Sequence, residues 1–246
     1  MKKRNEALIK LASIFLLAVT LWFATASRPN LIIIWLLVIL AFSVFFIAKH
    51  KNTTKTDILI GLALGLLSMP SNFFMGLFTI PAYLGGVSVL KESKNSIPTI
   101  KSGRKGIWRS FLIAIAAGSV LGLINFLLGK ASTPINISLQ LNWIWEALRA
   151  GIAEEVMFRF FFYAICIYFV GDKALSKTES FICYLIMIIP HVLIHFTFKN
   201  LDLGSILFLS LLFGLPLSLL QRKRDLVSAI GAHTIIDLIR FFVFGA

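Results

Sequence analysis

The chain has 246 residues, of which 58% are hydrophobic and only 14% are charged. A soluble domain of this length carries about a quarter charged residues and has no need of apolar runs about 20 residues long, the length that spans a bilayer core. The composition therefore excludes a soluble protein. Because backbone groups in lipid must be hydrogen-bonded within the chain, the expected fold class is all-α, a polytopic transmembrane helical bundle.

The formal net charge of +13 does not indicate a nucleic-acid partner. The basic residues lie in short clusters between apolar runs, as the positive-inside rule and anionic lipid headgroups predict. We therefore expect membrane lipid and no nucleic acid as partners. The clusters are Lys2 to Arg4, Lys49 with Lys51 and Lys55, Lys91 to Arg109, Lys173 with Lys177, and Arg222 to Arg224.

The apolar runs predict eight or nine helices. The stretch 57–90 is long for one span and short for two, so it predicts a tight hairpin or a re-entrant segment. A cytoplasmic N-terminus puts all five basic clusters inside, provided that 57–90 crosses an even number of times. We expect a multi-pass protein of the cell membrane, from a bacterium. The runs lie near 7–25, 31–48, 57–69, 72–90, 108–129, 143–170, 179–198, 203–220 and 226–244.

Acidic residues are unevenly distributed along the chain. Of the eleven Asp and Glu, only Glu6, Asp57 and Glu92 precede residue 146. An ionisable group inside a span costs about 2.5–3.5 kcal/mol on insertion scales and usually has a function. Within one membrane domain, we therefore expect residues 1–142 to be scaffold helices and residues 143–246 to hold the functional core.

The span 143–170 carries two adjacent glutamates. Glu155 and Arg159 are four residues apart, so they can pair on one face of an α-helix. Glu154 points about 100° away, since an α-helix has about 3.6 residues per turn, and is left free for another partner. An unpaired carboxylate at this position is a candidate general base.

Two further spans each carry a polar pair at a spacing of four residues. These pairs are His191 with His195 and His233 with Asp237. Imidazole with carboxylate suits either a metal ion or metal-free activation of water beside a group that stabilises an oxyanion. A hydrogen bond between helices explains any single histidine equally well. However, three of the four histidines lie in these two spans, and Glu154 lies in the span 143–170 that precedes them. This concentration favours one common site.

At these residues the chain resembles the CAAX protease and bacteriocin-processing (CPBP, or Abi) family of intramembrane proteases. That family has a Glu-Glu-x-x-x-Arg motif, a Phe-x-x-x-His motif and a His-x-x-x-Asn or His-x-x-x-Asp motif on successive C-terminal helices. Glu154 to Arg159 matches the first motif and His233 to Asp237 the third, and the resemblance covers about residues 143–244.

The middle motif departs from the family pattern, because neither candidate histidine has Phe four residues earlier. His195 follows His191 at this spacing, and His191 follows Met187. We favour His195, since Phe196 and the polar loop after it are similar to the usual continuation in the family. His191 is kept as the alternative.

The resemblance implies an intramembrane endopeptidase that hydrolyses a hydrophobic or membrane-bound peptide, as in CAAX-type, bacteriocin or pheromone processing or bacteriocin self-immunity. The alternatives are a non-catalytic immunity or interaction protein that retains the motif structurally, and a transporter with a proton relay. In the implied site, Glu154 and His195 activate water, and His233 and Asp237 stabilise the oxyanion. Glu155 and Arg159 are structural residues.

The cofactor is either zinc or none, since members of the family are described both as metalloproteases and as metal-free glutamate proteases. If a metal is bound, the expected ligands are Glu154, His195 and His233. Asp237 is an unexpected oxyanion partner, because an ionised carboxylate only accepts hydrogen bonds. It must be protonated, orient His233, or pair with Arg240.

Overall fold

The structure, a computed structural model, describes residues 2–28, 31–130, 133–171 and 173–245, with side chains from Asn5 onward. Over these residues the chain forms nine successive helices and no β-strand, and this confirms the all-α membrane bundle. The helices alternate in direction along the chain, so each loop lies at one of two ends of the bundle.

The helices correspond to the nine apolar runs. Two of them, α6 and α8, are continuous but contain a π-helical segment in which hydrogen bonds join residues five apart. The helices are α1 (Lys2–Thr25), α2 (Ile32–His50), α3 (Lys55–Ser68), α4 (Phe73–Leu90), α5 (Arg104–Gly129), α6 (Leu141–Arg149, π-helical Ala150–Phe160, Phe161–Val170), α7 (Lys177–Leu193), α8 (Leu203–Leu209, π-helical Ser210–Gly214, Leu215–Lys223) and α9 (Leu226–Phe244).

Six of the described helices, namely α1, α2, α4, α5, α8 and α9, are long and apolar enough to cross a bilayer. The 14 residues of α3 extend about 21 Å at about 1.5 Å per residue, which is short of the roughly 30 Å hydrocarbon core. The protein is therefore multi-pass, with shorter helices packed among the spanning ones.

The ambiguous stretch 57–90 forms a tight hairpin of α3 and α4. The turn ends at Asn72, whose side chain caps the first turn of α4. The two helices touch through glycines, because a Cβ atom on Gly65 would lie 2.8 Å from the carbonyl oxygen of Gly76. Small residues at this contact let the backbones approach each other closely.

The central element is α6, in which every residue from Ala150 to Ile167 is buried. Its aromatic side chains pack against the N-terminal helices: Trp35 of α2 contacts Phe158, and Tyr83 of α4 stacks on Phe160 with ring centroids 6.0 Å apart. The opposite side of α6 packs against α7 and α9. The acidic motif therefore lies inside the bundle and not against lipid.

The loops that follow α2, α4, α6 and α8 meet at one end of the bundle, which carries four of the basic clusters and is called the basic end below. Asn95 donates a hydrogen bond to the carbonyl oxygen of Lys173 at 2.7 Å. The amide of Leu226 donates to the carbonyl oxygen of Pro98 at 3.1 Å. These contacts join the loops after α4, α6 and α8 into one surface.

The remaining loops lie at the opposite end. The indole of Trp22 donates to the carbonyl oxygen of Phe196 at 3.1 Å, joining the end of α1 to the loop after α7. The amide of Asn136 donates to the carbonyl oxygen of Val243 at 2.8 Å, joining the loop after α5 to the end of α9. Basic residues in the described loops at this end are Arg28, Lys130 and Lys199.

Candidate functional site

A cavity of about 700 Å³ lies between α5, α6, α7, α8 and α9, and Ile32 of α2 and Met75 of α4 also line it. Its lining residues extend from the end of the bundle opposite the basic end, such as Glu146 and Phe241, to the middle of the helices, such as His233 and Leu217. Its polar lining residues are Asn125, Glu146, Arg149, Glu154, Arg159, His191, His195, His233, Asp237 and Arg240.

Both glutamates of the motif lie on the π-helical segment of α6, Ala150–Phe160. Such segments are rare and are found frequently at functional sites. Glu154 lines the cavity, whereas Glu155 is fully buried behind it. Gln221 of α8 donates to the backbone carbonyl oxygen of Glu155 at 3.3 Å and so gives this carbonyl a partner in the neighbouring helix.

Glu155 connects α6 with α9. It forms an ion pair with Arg159, as the spacing of four residues indicates, and both side chains are buried. The same carboxylate oxygen accepts a hydrogen bond from Nδ1 of His233 at 2.8 Å. Nε2 of His233 lies 3.5 Å from Asp237, so carboxylates face both nitrogens of this ring. Asp237 thus forms an ion pair with His233, and Arg240 also interacts with it electrostatically.

His191 is held between the two motif residues that face it. Nη2 of Arg159 donates to Nδ1 of His191 at 2.8 Å. A guanidinium has no acceptor, so Nδ1 must accept, and the ring proton of the neutral imidazole is on Nε2. Nε2 then donates to Oε2 of Glu154 at 2.9 Å. This chain of hydrogen bonds fixes both the tautomer and the orientation of His191.

His195 lies outside the helix on which we placed it. The expectation of one regular helix from 179 to 198 was wrong, because α7 ends at Leu193. Asn200 accepts a hydrogen bond from the amide of Thr197 at 2.6 Å, and such side-chain bonds to the backbone compete with helix continuation. Nε2 of His195 is 3.8 Å from Oε2 of Glu154, and its side chain is 48% exposed.

The direct partner of Glu154 is therefore His191, which the sequence kept as the alternative to His195. The side chain of His191 is 5% exposed, and its Nε2 lies 2.9 Å from Oε2 of Glu154. Both rings nevertheless belong to one cluster, since their centroids are 5.3 Å apart. The ring of His233 is 6.0 Å from that of His191.

Glu154 is not free of a cation, contrary to our expectation. Nη1 of Arg149 lies 3.4 Å from Oε1 of Glu154. The two residues are five apart, a spacing that separates side chains on an α-helix but brings them together where the helix is π-helical. Arg149 also pairs with Glu146, at 3.2 Å. The reason for the error is thus the π-helical geometry, which an α-helical period cannot anticipate.

Three residues could hold a metal ion, namely Glu154, His191 and His195. Each offers one ligand atom, and these atoms lie within 4.8 Å of one another. The expected set contained His233 in place of His191. A neutral histidine that binds zinc through Nε2 must carry its proton on Nδ1 and donate it to a neighbour. Arg159 faces Nδ1 and cannot accept that proton, so His191 in this arrangement does not fit a zinc site.

Sequence reasoning assigned no functional residue to the N-terminal helices, but Asn125 of α5 lines the cavity. A polar amide in the apolar run 108–129 costs free energy unless it has a partner. The cost of a polar group in an apolar span singled out the acidic residues, and the same cost could have indicated Asn125.

Comparison with protein-family models gives a match over the C-terminal part of the chain. Residues 136–239 match the model of the Rce1-like type II CAAX prenyl endopeptidases. The matched segment contains every residue of the acidic and histidine cluster described above, and the match confirms the resemblance to the CPBP intramembrane proteases. Neither the curated proteins nor the solved structures give a match.

Proposed function

We propose, from the match of residues 136–239 to the Rce1-like type II CAAX prenyl endopeptidases, that this multi-pass membrane protein hydrolyses a peptide bond within the bilayer. Its substrate is a hydrophobic or membrane-bound peptide, such as a CAAX-type tail, a bacteriocin leader or a pheromone precursor. The observation that carries the proposal is the convergence of Glu154 with three imidazoles in one cavity, from helix α6, the end of α7 and α9.

In the proposed reaction Glu154 is the general base. The hydrogen bond from His191 orients its carboxylate, and a water bound between Glu154 and His195 gives a proton to the carboxylate as its oxygen attacks the carbonyl carbon. The proton then passes from Glu154 to the leaving nitrogen as the C–N bond breaks. The half-exposed His195 is the partner of the water, since its Nε2 lies 3.8 Å from Oε2 of Glu154.

The proposed oxyanion donor is His233. Its Nδ1–H donates to Glu155, which leaves Nε2–H of the doubly protonated ring to donate to the oxygen of the tetrahedral intermediate. Asp237 accepts from Nε2 before the substrate binds, at 3.5 Å. This role needs no donor from Asp237, so the substitution of Asp for Asn in the third motif is compatible with the mechanism. The contact between Arg159 and His191 supports a mechanism without a zinc ion, and no step here uses one.

We also propose an orientation and a location. The basic end lies in the cytoplasm, with the N-terminus, because loops rich in Lys and Arg are retained there. The cavity extends from the opposite end of the bundle to the middle of the helices, so it opens toward the outer side of the cell membrane, and the protein is bacterial. A substrate would then approach from lipid or from the outer surface.

The test of the function is Glu154→Gln, which keeps the size of the side chain but removes the base. The purified protein in lipid nanodiscs is incubated with a library of hydrophobic peptides, and new peptide termini are counted by mass spectrometry. We expect cleavage to fall by at least about 100-fold, the usual contribution of a general base. The control is Glu92→Gln at the basic end. Full activity of Glu154→Gln would contradict the catalytic proposal and favour a non-catalytic binding protein.

A further inference from the structure

His195 lies beyond the end of α7, where a regular helix no longer fixes the backbone. The helix ends at Leu193, and the amides of His195 and Phe196 donate to carbonyl oxygens three residues back, at 3.2 and 2.9 Å. Such bonds belong to a single tight turn and not to a continuing α-helix. The position of this half-exposed imidazole beside Glu154 therefore depends on what holds the loop 194–202.

The contact that holds this loop comes from α1. The indole Nε1 of Trp22 donates a buried hydrogen bond to the carbonyl oxygen of Phe196, the residue after His195, at 3.1 Å. Among the residues that the structure describes, no other side chain from outside the loop donates to one of its carbonyl oxygens. Because the bonded carbonyl is one residue from His195, this bond limits how far the imidazole can move.

Aromatic packing supports the same contact. The ring of Phe198, three residues after His195, meets the rings of Trp22 and Phe23 edge to face, with centroids 5.8 and 4.9 Å away. Aromatic pairs favour this arrangement because the positive edge of one ring faces the negative face of the other. The loop is thus attached to α1 by a hydrogen bond and by a ring contact, both within three residues of His195.

The end of α1 is itself held in place. Trp35 of α2 donates from its indole to Oγ1 of Thr25 at 3.1 Å. The same hydroxyl donates to the carbonyl oxygens of Leu21 and Trp22, at 3.0 and 3.1 Å. The side chain of Trp22 is buried. A helix end that is fixed in this way can hold a loop that has few hydrogen bonds of its own.

We propose that Trp22 is a positioning residue for His195, because its indole holds the loop so that the imidazole faces Glu154 and the attacking water. This assignment rests on the proposed endopeptidase function, in which His195 is the partner of the water. Trp22 does not line the cavity, so it acts on the reaction through His195. The helix α1 also lies outside residues 136–239, the segment that matches the family model. The chemistry of that segment therefore depends on a helix outside it.

The variant Trp22→Phe keeps an aromatic ring and removes the N–H donor. The full-length protein in nanodiscs is assayed with the peptide that the wild type cleaves fastest, over a range of peptide concentrations. We expect kcat to fall about 10- to 100-fold, since a misplacement of about 1 Å has an effect of this size, and KM to stay unchanged. The matched control is Trp143→Phe, which removes an indole donor to Ser138 at the same end of the bundle and should leave kcat unchanged.

A double variant separates positioning of His195 from a general effect on the fold. In a His195→Ala background, Trp22→Phe should lower kcat no further, because the effects of residues that act through one another do not add. Phe198→Leu keeps the hydrogen bond and weakens the ring contact, so it should lower kcat less than Trp22→Phe does. The proposal is wrong if Trp22→Phe leaves kcat unchanged, or if it lowers kcat by the same factor with and without His195.

Amide hydrogen exchange of the loop is measured in the same proteins without a peptide. Trp22→Phe should speed the exchange of residues 194–202, since a loop with few hydrogen bonds opens locally, and should leave the exchange of α9 unchanged. Unchanged exchange in the loop overturns the proposal whatever the activity. If the wild type cleaves no peptide but the exchange of the loop rises in Trp22→Phe, the endopeptidase function fails, whereas the hold of Trp22 on the loop that carries His195 is supported.

Discussion

At the scale of single residues, the site depends on which nitrogen of each histidine carries a proton. Arg159 donates to Nδ1 of His191, and this directs the other nitrogen at Glu154. Glu155 accepts from Nδ1 of His233 and leaves the opposite nitrogen facing the cavity. Arg159 therefore orients the imidazole of His191 on α7, and Glu155 orients the imidazole of His233 on α9. Neither Glu155 nor Arg159 is given a chemical role in the reaction.

The two candidate histidines of the middle motif should differ in stability as well as in activity. His191→Ala removes a buried hydrogen-bonding partner of both Arg159 and Glu154, so we expect it to lower the free energy of unfolding by about 1–3 kcal/mol and to abolish cleavage. His195→Ala should reduce cleavage and leave stability unchanged, because its side chain is 48% exposed. Thermal unfolding in detergent and the peptide assay measure the two effects, with His50→Ala at the basic end as control. Equal losses of stability would contradict this assignment.

Removal of one member of the buried ion pair should cost more than removal of both. Glu155→Gln leaves the charge of Arg159 buried without its partner, and we expect a loss of about 3–5 kcal/mol in the free energy of unfolding. The double variant Glu155→Gln with Arg159→Met should recover much of that loss, since no charge is left unpaired. It should remain inactive, because His191 and His233 lose their orienting partners. Recovery of activity along with stability would show that the pair does not position the histidines.

At the scale of elements, the π-helical segment of α6 decides which side chains meet. It brings Arg149 to Glu154 across five residues, and it presents Glu154 to the cavity while Glu155 faces α9. The helix α9 can approach this segment because Gly151 has no side chain: a Cβ atom there would lie 2.9 Å from the carbonyl oxygen of Ile230. The distance between Glu155 and His233 therefore depends on a glycine outside the motif.

A larger residue at this contact should separate α6 from α9. We expect Gly151→Val to move α9 outward and weaken the bond between Glu155 and His233, which reduces cleavage at temperatures where the protein is still folded. Overpacking of this kind costs about 1–3 kcal/mol. The control is Gly204→Ala on α8, whose added Cβ atom would have its nearest neighbour at 3.4 Å. Unchanged cleavage by a folded Gly151→Val protein would contradict the role of this contact.

At the scale of the whole molecule, the cavity extends from the end opposite the basic end to the middle of the bundle. This relation predicts the accessibility of each end in intact cells. In a background with both native cysteines, Cys166 and Cys183, replaced by serine, we expect Lys199→Cys to react with a membrane-impermeant maleimide from outside. Lys177→Cys should react only after the membrane is permeabilised. The reverse pattern would show that the basic end is outside and that the cavity opens toward the cytoplasm.

The sequence by itself determined the membrane fold, the order of the helices and the concentration of polar residues in the C-terminal half. These follow from local properties, since the length of an apolar run and the cost of a charge in lipid need no knowledge of the neighbours. The sequence also paired Glu155 with Arg159, because their spacing on one helix suffices. The form of the 57–90 stretch was left open between two shapes, and the packing of α3 on α4 selected the hairpin.

Only the tertiary structure decided which residues share the site. The choice of His191 as the direct partner of Glu154 depends on where α7 ends and on a guanidinium contributed by α6. The contact of Arg149 with Glu154 depends on a π-helical segment, and the place of Asn125 in the cavity depends on how α5 lies against α9. The physical reason is common to all three. A helical period relates residues within one regular helix, whereas irregular helix geometry and packing between helices arise from side chains that are distant along the chain.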